Sequence, residues 1–90
     1  MNTSKTIEVY KRDEENPNKT YNLEFIEDYD ISNISIKELK SIIIPIDDDV
    51  NLFLMYTLNV FQLTKIQELS NVFFDIDDNK YIYMFSQYST

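Results

Sequence analysis

Glycine, histidine and cysteine are all missing from this 90-residue sequence. Without glycine, the chain cannot form the close-fitting loops that hold phosphate groups in Walker and dinucleotide-binding motifs. Without histidine and cysteine, it lacks the usual zinc ligands, disulfides and the Cys or Ser–His nucleophile systems. The composition therefore excludes zinc sites and these nucleophile systems, and it argues against nucleotide enzymes.

Positive charge is also scarce, since Arg12 is the one arginine and the formal net charge is −8. Proteins that bind nucleic acids or anionic membranes draw much of their affinity from lysine and arginine. We therefore expect neither a nucleic-acid partner nor a membrane partner. A strongly acidic small protein is either simply soluble or has a basic partner, whose encounter its electric field would accelerate.

Long hydrophobic runs are absent as well. The longest ones, "IIIPI" and "LFLMY", are too short to span a bilayer, and the first residues lack the apolar region of a signal peptide. We therefore expect a cytoplasmic protein. A hydrophobic fraction of 43% is nevertheless too high for a disordered chain, so residues 1–90 should form a single folded domain.

The first half of the chain predicts a hairpin and a helix. Residues 6–12 and 20–28 alternate apolar and polar side chains, as strands do, and the segment between them contains Pro17 and other turn residues. Ser35 and Glu38 form a capping-box pattern that predicts a helix from Ile36 to about Ile43, ending before Pro45.

The second half predicts a further helix and two closing strands. Asn59 and Gln62 form another capping-box pattern, which places a helix at Val60 to Ser70. Its buried side chains should be Leu63, Ile66 and Leu69. The runs "VFFDI" and "YIYMFSQY" have strand character, and the latter is apolar on both faces, as in a central strand.

Together these elements predict an α+β fold. We expect a small, mainly antiparallel four-stranded sheet with two short helices packed on one face, in the order β-β-α-α-β-β. The apolar stretch at 54–57 has room for a short extra strand.

The segment "FDIDDNKY" raises the question of a calcium site, because Asp75, Asp77 and Asn79 have the spacing of the first EF-hand ligands. The loop lacks its glycine, and the twelfth position holds Ser86 in place of the bidentate glutamate. A hairpin turn is the favoured interpretation, with Asp and Asn adopting positive φ in place of glycine. We expect no metal and no cofactor.

Several segments have a familiar order: the short helix "IKELKSII", then "PIDDD", "YTL", "FDIDDNKY" and the aromatic strand "YIYMF". This order resembles the small acidic immunity proteins of bacterial contact-dependent growth inhibition systems. The resemblance implies a non-enzymatic inhibitor that binds and neutralises a cognate toxin domain, often an RNase or DNase. The sequence departs from related ones at Ile44, where they commonly carry glycine, so the loop at 44–50 should be built differently.

An acidic inhibitor would complement the basic substrate channel of a nuclease. Exposed aromatic residues such as Tyr29, Tyr56 or Tyr83 would serve as anchors because tyrosine buries a rigid ring and keeps a hydroxyl for hydrogen bonding. Solvated acids at turns are the plainer explanation of any one acidic cluster. The candidate partner-binding residues are Glu27, Asp28, Asp30, Asp47, Asp48, Asp49, Tyr56, Asp75, Asp77, Asp78 and Tyr83.

Three other functions stay open at this stage. A phage-type acidic inhibitor or nucleic-acid mimic would need rows of carboxylates, but the predicted helices carry mixed charge. An enzyme would need two carboxylates in a cleft, and a domain of this size offers little room for a deep pocket. The antitoxin of an intracellular toxin pair often has a basic recognition helix or a disordered tail, and neither pattern appears here.

Overall fold

The sheet has four antiparallel strands in the spatial order β2-β1-β4-β3. The structure, a computed structural model, describes residues 3–89. Within them the elements are β1 (Thr3–Lys11), β2 (Glu24–Asp30), α1 (Ile36–Leu39), β3 (Tyr56–Leu58), α2 (Val60–Ser70) and β4 (Tyr81–Ser89). Neither helix is long and apolar enough to cross a membrane. The α+β class and the four-stranded antiparallel sheet are confirmed.

The last strand is central, as its two apolar faces predicted. β4 pairs with β1 on one side, where Phe85 lies opposite Ile7, and with β3 on the other, where Phe85 lies opposite Tyr56. Both of its faces are buried: Tyr83 and Phe85 belong to the main core, and Ile82 and Met84 are buried on the opposite face. A strand paired on both edges and covered on both faces is the most constrained element of a sheet.

Both helices pack on the face of the sheet that carries the main core. Leu39 of α1 and Leu63 and Ile66 of α2 belong to the same buried cluster as Ile7 and Phe85 of the sheet. On the opposite face, the long connection between β1 and β2 lies beside part of the sheet. Leu23 of that connection lines a small cavity with Tyr10 and Met84 of the sheet.

Local signals placed both helix starts correctly. Each predicted capping box is present, with Ser35 and Glu38 at α1 and with Asn59 and Gln62 at α2. The bounds of α2 agree with the prediction. The prediction that Leu69 is a buried residue of α2 is wrong, because Leu69 is 43% exposed and Ser70 is buried instead.

Helix α1 is shorter than predicted and ends at Leu39. The next turn tightens: the amides of Ile42 and Ile43 both donate to the carbonyl of Leu39, and the Ser41 hydroxyl donates to the carbonyl of Glu38. The β-branched run that follows, ending at Pro45, disfavours further helix.

The predicted element order β-β-α-α-β-β is wrong, and the observed order is β-β-α-β-α-β. The short strand predicted at 54–57 exists as β3, whereas "VFFDI" forms no strand. Because β4 already has β1 and β3 as neighbours, no position beside it is left for residues 72–76. The segment before β4 is therefore a connection with a turn, and the predicted hairpin at 74–84 is not formed.

Positive φ angles occur at Asn22, Asp47, Leu52 and Asn71 among the described residues, and none of them lies in the predicted turn at 75–79. Asn and Asp are the residues that tolerate this conformation best apart from glycine. Asn71 ends α2 in the left-handed conformation, where glycine is usual. Leu52 is the unusual case, since its side chain is fully buried and its burial must offset the cost of the conformation.

Candidate functional site

A cleft opens on the helix-bearing face of the sheet, towards the edge formed by β2. Its volume is about 250 Å³. We call it the tyrosine cleft. It is lined by Val9, Ile26, Glu27, Tyr29, Asp75, Tyr81 and Tyr83.

A β-bulge gives this cleft its β2 wall. Val9 pairs with Glu27 and the next residue, Tyr10, pairs with Phe25, so Ile26 is the extra residue. Strict alternation would put Glu27 and Ile26 on opposite faces, but a bulge places neighbouring residues side by side. Glu27 and Ile26 consequently both line the cleft, while the Phe25 ring packs edge-on against Tyr10 on the other face.

The tyrosine rings are held by Phe74, which lies in the connection between α2 and β4. Its ring stacks on Tyr29 with centroids 4.5 Å apart and lies nearly parallel to Tyr83 at 6.1 Å. The side-chain amide of Gln67 in α2 donates to the Phe74 carbonyl over 2.6 Å. Tyr81 completes the cluster edge-on to Tyr83 at 6.4 Å. The segment "VFFDI", which was predicted as a strand, therefore packs an aromatic ring against the sheet instead.

The hydroxyl groups of two cleft tyrosines are fixed by acceptors. Tyr29 donates to Glu27 Oε1, and this hydrogen bond, together with burial and nearby negative charge, raises the pKa of Tyr29 to about 12. Tyr83 is 2% exposed and donates to the Asp75 carbonyl over 3.2 Å while accepting from the Asp77 amide over 2.9 Å. Burial raises the pKa of Tyr83 above its ordinary value. Both rings stay neutral around physiological pH.

Within residues 3–89, no lysine or arginine forms an ion pair with either carboxylate of the cleft. In the part of the chain that the structure describes, the ion pairs are Lys19–Asp13 and Lys65–Glu68. Across residues 3–89, neither Glu27 Oε2 nor the side chain of Asp75 accepts a hydrogen bond. Both residues are exposed at the cleft, so negative charge faces an aromatic cavity without compensation.

A larger and more open cavity of about 440 Å³ adjoins the cleft, sharing Ile26 and Tyr81 as lining residues. Its lining charges are mixed, with Lys11, Arg12 and Lys80 beside Asp13 and Glu14. Arg12 donates to the carbonyl oxygens of Pro17, Asp78 and Tyr81. The arginine therefore serves to tie loops together at this end of the sheet.

The structure brings together Glu27, Asp75 and Tyr83 of the predicted binding residues. Tyr83 is not the exposed anchor that was predicted, because it belongs to the buried core. Asp28 and Asp30 lie on the same strand as Glu27 but alternate to the opposite face of the sheet. Asp30 Oδ1 accepts from the Ser32 amide, and hydrogen bonds with Ser32 lower the pKa of Asp30.

The predicted residues at 47–56 form a separate arrangement beside β3, at the other edge of the sheet. Asp47 and Asp48 are exposed, whereas Asp49 accepts from the amides of Phe53 and Leu54 and from the Tyr56 hydroxyl. Asp49 and Tyr56 therefore hold the loop together. Tyr56 is not the exposed anchor that was predicted, because its ring belongs to the buried core.

The Asp75–Asp78 turn is likewise divided between surface and structure. Asp77 accepts from the Asn79 and Lys80 amides through its side chain, and its carbonyl accepts from Tyr81. The side chain of Asp78 is exposed, and its carbonyl accepts from Arg12. Asp75 alone of these acids lines the cleft.

Sequence reasoning missed Val9, Ile26 and Tyr81 as cleft residues. Tyr81 could have been predicted from the sequence, because residues two apart in a strand face the same side and Tyr81 precedes Tyr83 by two positions. Val9 follows only from the pairing of β1 with β4, where it lies opposite Tyr83. Ile26 has no signal of its own, since the bulge that places it depends on the β1–β2 pairing.

The fold and the cleft define a small α+β domain that presents an acidic, aromatic surface cleft at one edge of an antiparallel sheet. Residues 4–86 match the family described as a domain of unknown function, DUF7683, and the chain belongs to that family. No curated protein matches the sequence. No solved structure matches the fold.

Proposed function

We propose that this protein is an immunity protein that binds a cognate bacterial toxin domain and neutralises it by covering its basic active-site region. The observation that carries the proposal is the tyrosine cleft, in which two carboxylates without an ion pair among residues 3–89 converge with three tyrosine rings. Tyrosine is enriched at binding hot spots because it combines a large rigid ring with a polar end. The resemblance to immunity proteins of contact-dependent growth inhibition supports the same function.

The charge around the cleft supports a basic partner. Strand β2 forms one edge of the sheet, and its sequence "EFIEDYD" exposes Glu24, Glu27, Asp28 and Asp30. These acids stand on a protein whose formal net charge is −8. Complementary fields accelerate encounter and disfavour wrong partners, so a toxin with a basic substrate channel would be drawn to this edge.

The dimensions and the titration of the cleft favour binding over catalysis. Small-molecule sites usually occupy about 300–1,000 Å³, whereas the cleft measures about 250 Å³. A general acid or base works best when its pKa lies near the operating pH. The pKa values of the cleft residues Tyr29 and Tyr83 are instead raised from the ordinary value of 10.0, further from neutral pH.

The proposal is tested by co-expressing the chain with the polymorphic toxin domain encoded immediately upstream of it. Co-purification at low and moderate salt measures the complex, and growth of cells that produce the toxin measures protection. We expect a complex that survives purification and restores growth. A toxin that is neither bound nor neutralised would overturn the proposal and favour a phage-type acidic inhibitor of another basic protein.

A further inference from the structure

The charges and rings of the tyrosine cleft define what kind of group can occupy it. An apolar side chain would leave Glu27 and Asp75 desolvated without a partner, which is costly for a carboxylate. An anion would be repelled by the same two groups. A cation satisfies both carboxylates and is also attracted by the electron-rich faces of tyrosine rings.

The shape of the cleft favours a flat cation over a compact one. The partly exposed rings of Tyr29 and Tyr81 line it, and the Tyr83 ring beneath them is only 2% exposed. Phe74 stacks on Tyr29 and lies nearly parallel to Tyr83, which holds both planes. The guanidinium group of arginine is planar, stacks on aromatic rings, is weakly hydrated and offers several donors to carboxylates. A lysine ammonium is strongly hydrated and has only one point of charge.

We infer that the tyrosine cleft accepts the guanidinium group of one arginine side chain presented by a protein partner. Glu27 from β2 and Asp75 from the connection before β4 bind its N–H groups, and the partly exposed rings of Tyr29 and Tyr81 flank its plane. This inference rests on the proposed function and adds to it, since it identifies the chemical group of the toxin that this protein binds. A second copy of this chain is a poor partner, because its own net charge of −8 opposes association.

The size of the cleft agrees with one side chain and with nothing much larger. Its volume of about 250 Å³ lies below the range of pockets for whole small molecules. Hot spots in protein interfaces are commonly single aromatic or arginine side chains seated in such pockets. The surrounding acids of β2 would then bind neighbouring lysine or arginine residues less specifically.

The inference is tested without the toxin by titrating the isotope-labelled protein with N-acetyl-arginine amide and following its NMR spectrum. N-acetyl-citrulline amide is the matched neutral probe, and N-acetyl-lysine amide is the matched compact cation. We expect the arginine probe to bind with a dissociation constant on the order of millimolar, shifting signals of Glu27, Tyr29, Tyr81 and Asp75. The lysine probe should bind more weakly, and the citrulline probe should not bind measurably.

Two variants separate the cleft from general acidity. Glu27→Gln combined with Asp75→Asn should weaken binding of the arginine probe by about tenfold or more. Asp47→Asn combined with Asp48→Asn removes the same charge at the other edge of the sheet and should change it by less than about twofold. Amide dispersion in the same spectra reports whether each variant is folded.

Equal affinity for arginine and citrulline, or equal effects of the two double variants, would overturn the inference. The outcome is independent of the toxin experiment. If the toxin is bound but the probe is not, the immunity function stands and its contact lies elsewhere. If the probe is bound but no toxin is, the cleft serves another arginine-bearing partner.

Discussion

Two tyrosine–carboxylate pairs in this protein share their chemistry and differ in their surroundings. At one edge of the sheet, Tyr56 donates to Asp49 over 2.6 Å and accepts from the Ile46 amide over 3.1 Å. At the other edge, Tyr29 donates to Glu27. Asp49 also accepts two backbone amides, whereas Glu27 keeps one oxygen without a hydrogen bond within the described residues.

This difference gives a criterion that distinguishes carboxylates that stabilise the fold from carboxylates that are available to a partner. A carboxylate whose oxygens are all occupied by backbone donors stabilises a loop and has little left for a partner. A carboxylate that faces a cavity and has an oxygen without a hydrogen bond is available to a ligand. By this criterion the 47–56 segment mainly has a structural role, and the tyrosine cleft is the proposed binding site.

The largest expected effect on stability comes from Asp49→Asn. Hydrogen bonds with Tyr56 and with the amides of Leu54 and Phe53 overcome desolvation and hold the pKa of Asp49 below its ordinary value of 3.8. A lowered pKa stabilises the fold above the unfolded-state value and loses that contribution as pH falls through the folded-state value. The urea midpoint of the variant should therefore be clearly lower than the wild-type midpoint at pH 7.

The two midpoints should approach each other as the pH falls below the ordinary value of 3.8, because Asp49 is then protonated first in the unfolded state and, below its lowered pKa, in the folded state as well. Glu27→Gln is the matched control and should leave the midpoint nearly unchanged at both pH values. An Asp49→Asn effect that persists undiminished at pH 2 would show that the charge of Asp49 is not what stabilises the loop.

Removing one hydroxyl from each pair sharpens the comparison. Tyr56 is buried, and Tyr56→Phe leaves both Asp49 and the Ile46 amide short of a partner. We expect a loss of about 1–3 kcal/mol in the free energy of unfolding. Tyr29→Phe removes one hydrogen bond at an exposed carboxylate and should cost less than about 0.5 kcal/mol. Urea denaturation followed by circular dichroism measures both, and equal losses would contradict the distinction.

The smallest effect concerns the titration of Tyr29. Its pKa of about 12 is due first to the hydrogen bond with Glu27, then to burial and to the negative charge nearby. Glu27→Gln should therefore lower the pKa of Tyr29 towards its ordinary value of 10.0. The ring signals of Tyr29 in NMR spectra recorded up to pH 11 would then begin to shift in the variant and stay constant in the wild type.

Tyr10 provides the internal reference for this titration, because its pKa is also raised to about 12 and its hydroxyl donates to Glu8. Its signals should respond to pH identically in both proteins. A change at Tyr10 as large as that at Tyr29 would indicate a general loosening of the sheet.

Local patterns predicted much of the fold. The capping boxes at Ser35 and Asn59 placed both helix starts, because a helix terminus is satisfied by residues close to it in sequence. The centrality of β4 followed from side chains that are apolar on both faces. Local patterns did not predict that "VFFDI" forms no strand, because a segment with strand propensity forms a strand only where a neighbouring strand is free to pair.

The cleft was predicted only in fragments for a related reason. Glu27 is far in sequence from Asp75 and Tyr83, and they meet because β2 and β4 both flank β1. The bulge opposite Val9 then adds Ile26 to the wall. Acidity and aromatic content suggested a binding surface, but which acids remain free depends on hydrogen bonds formed by tertiary structure.

The central claim is that the tyrosine cleft, and not the acidic loop at 47–49, holds the basic partner. The most direct test is the dissociation constant of the toxin complex for two double variants of equal charge: Glu27→Gln with Asp75→Asn, and Asp47→Asn with Asp48→Asn. We predict that the cleft variant raises the dissociation constant by at least about tenfold and that the loop variant raises it by less than about threefold. The reverse order, with the loop variant weakening the complex more than the cleft variant, would contradict it.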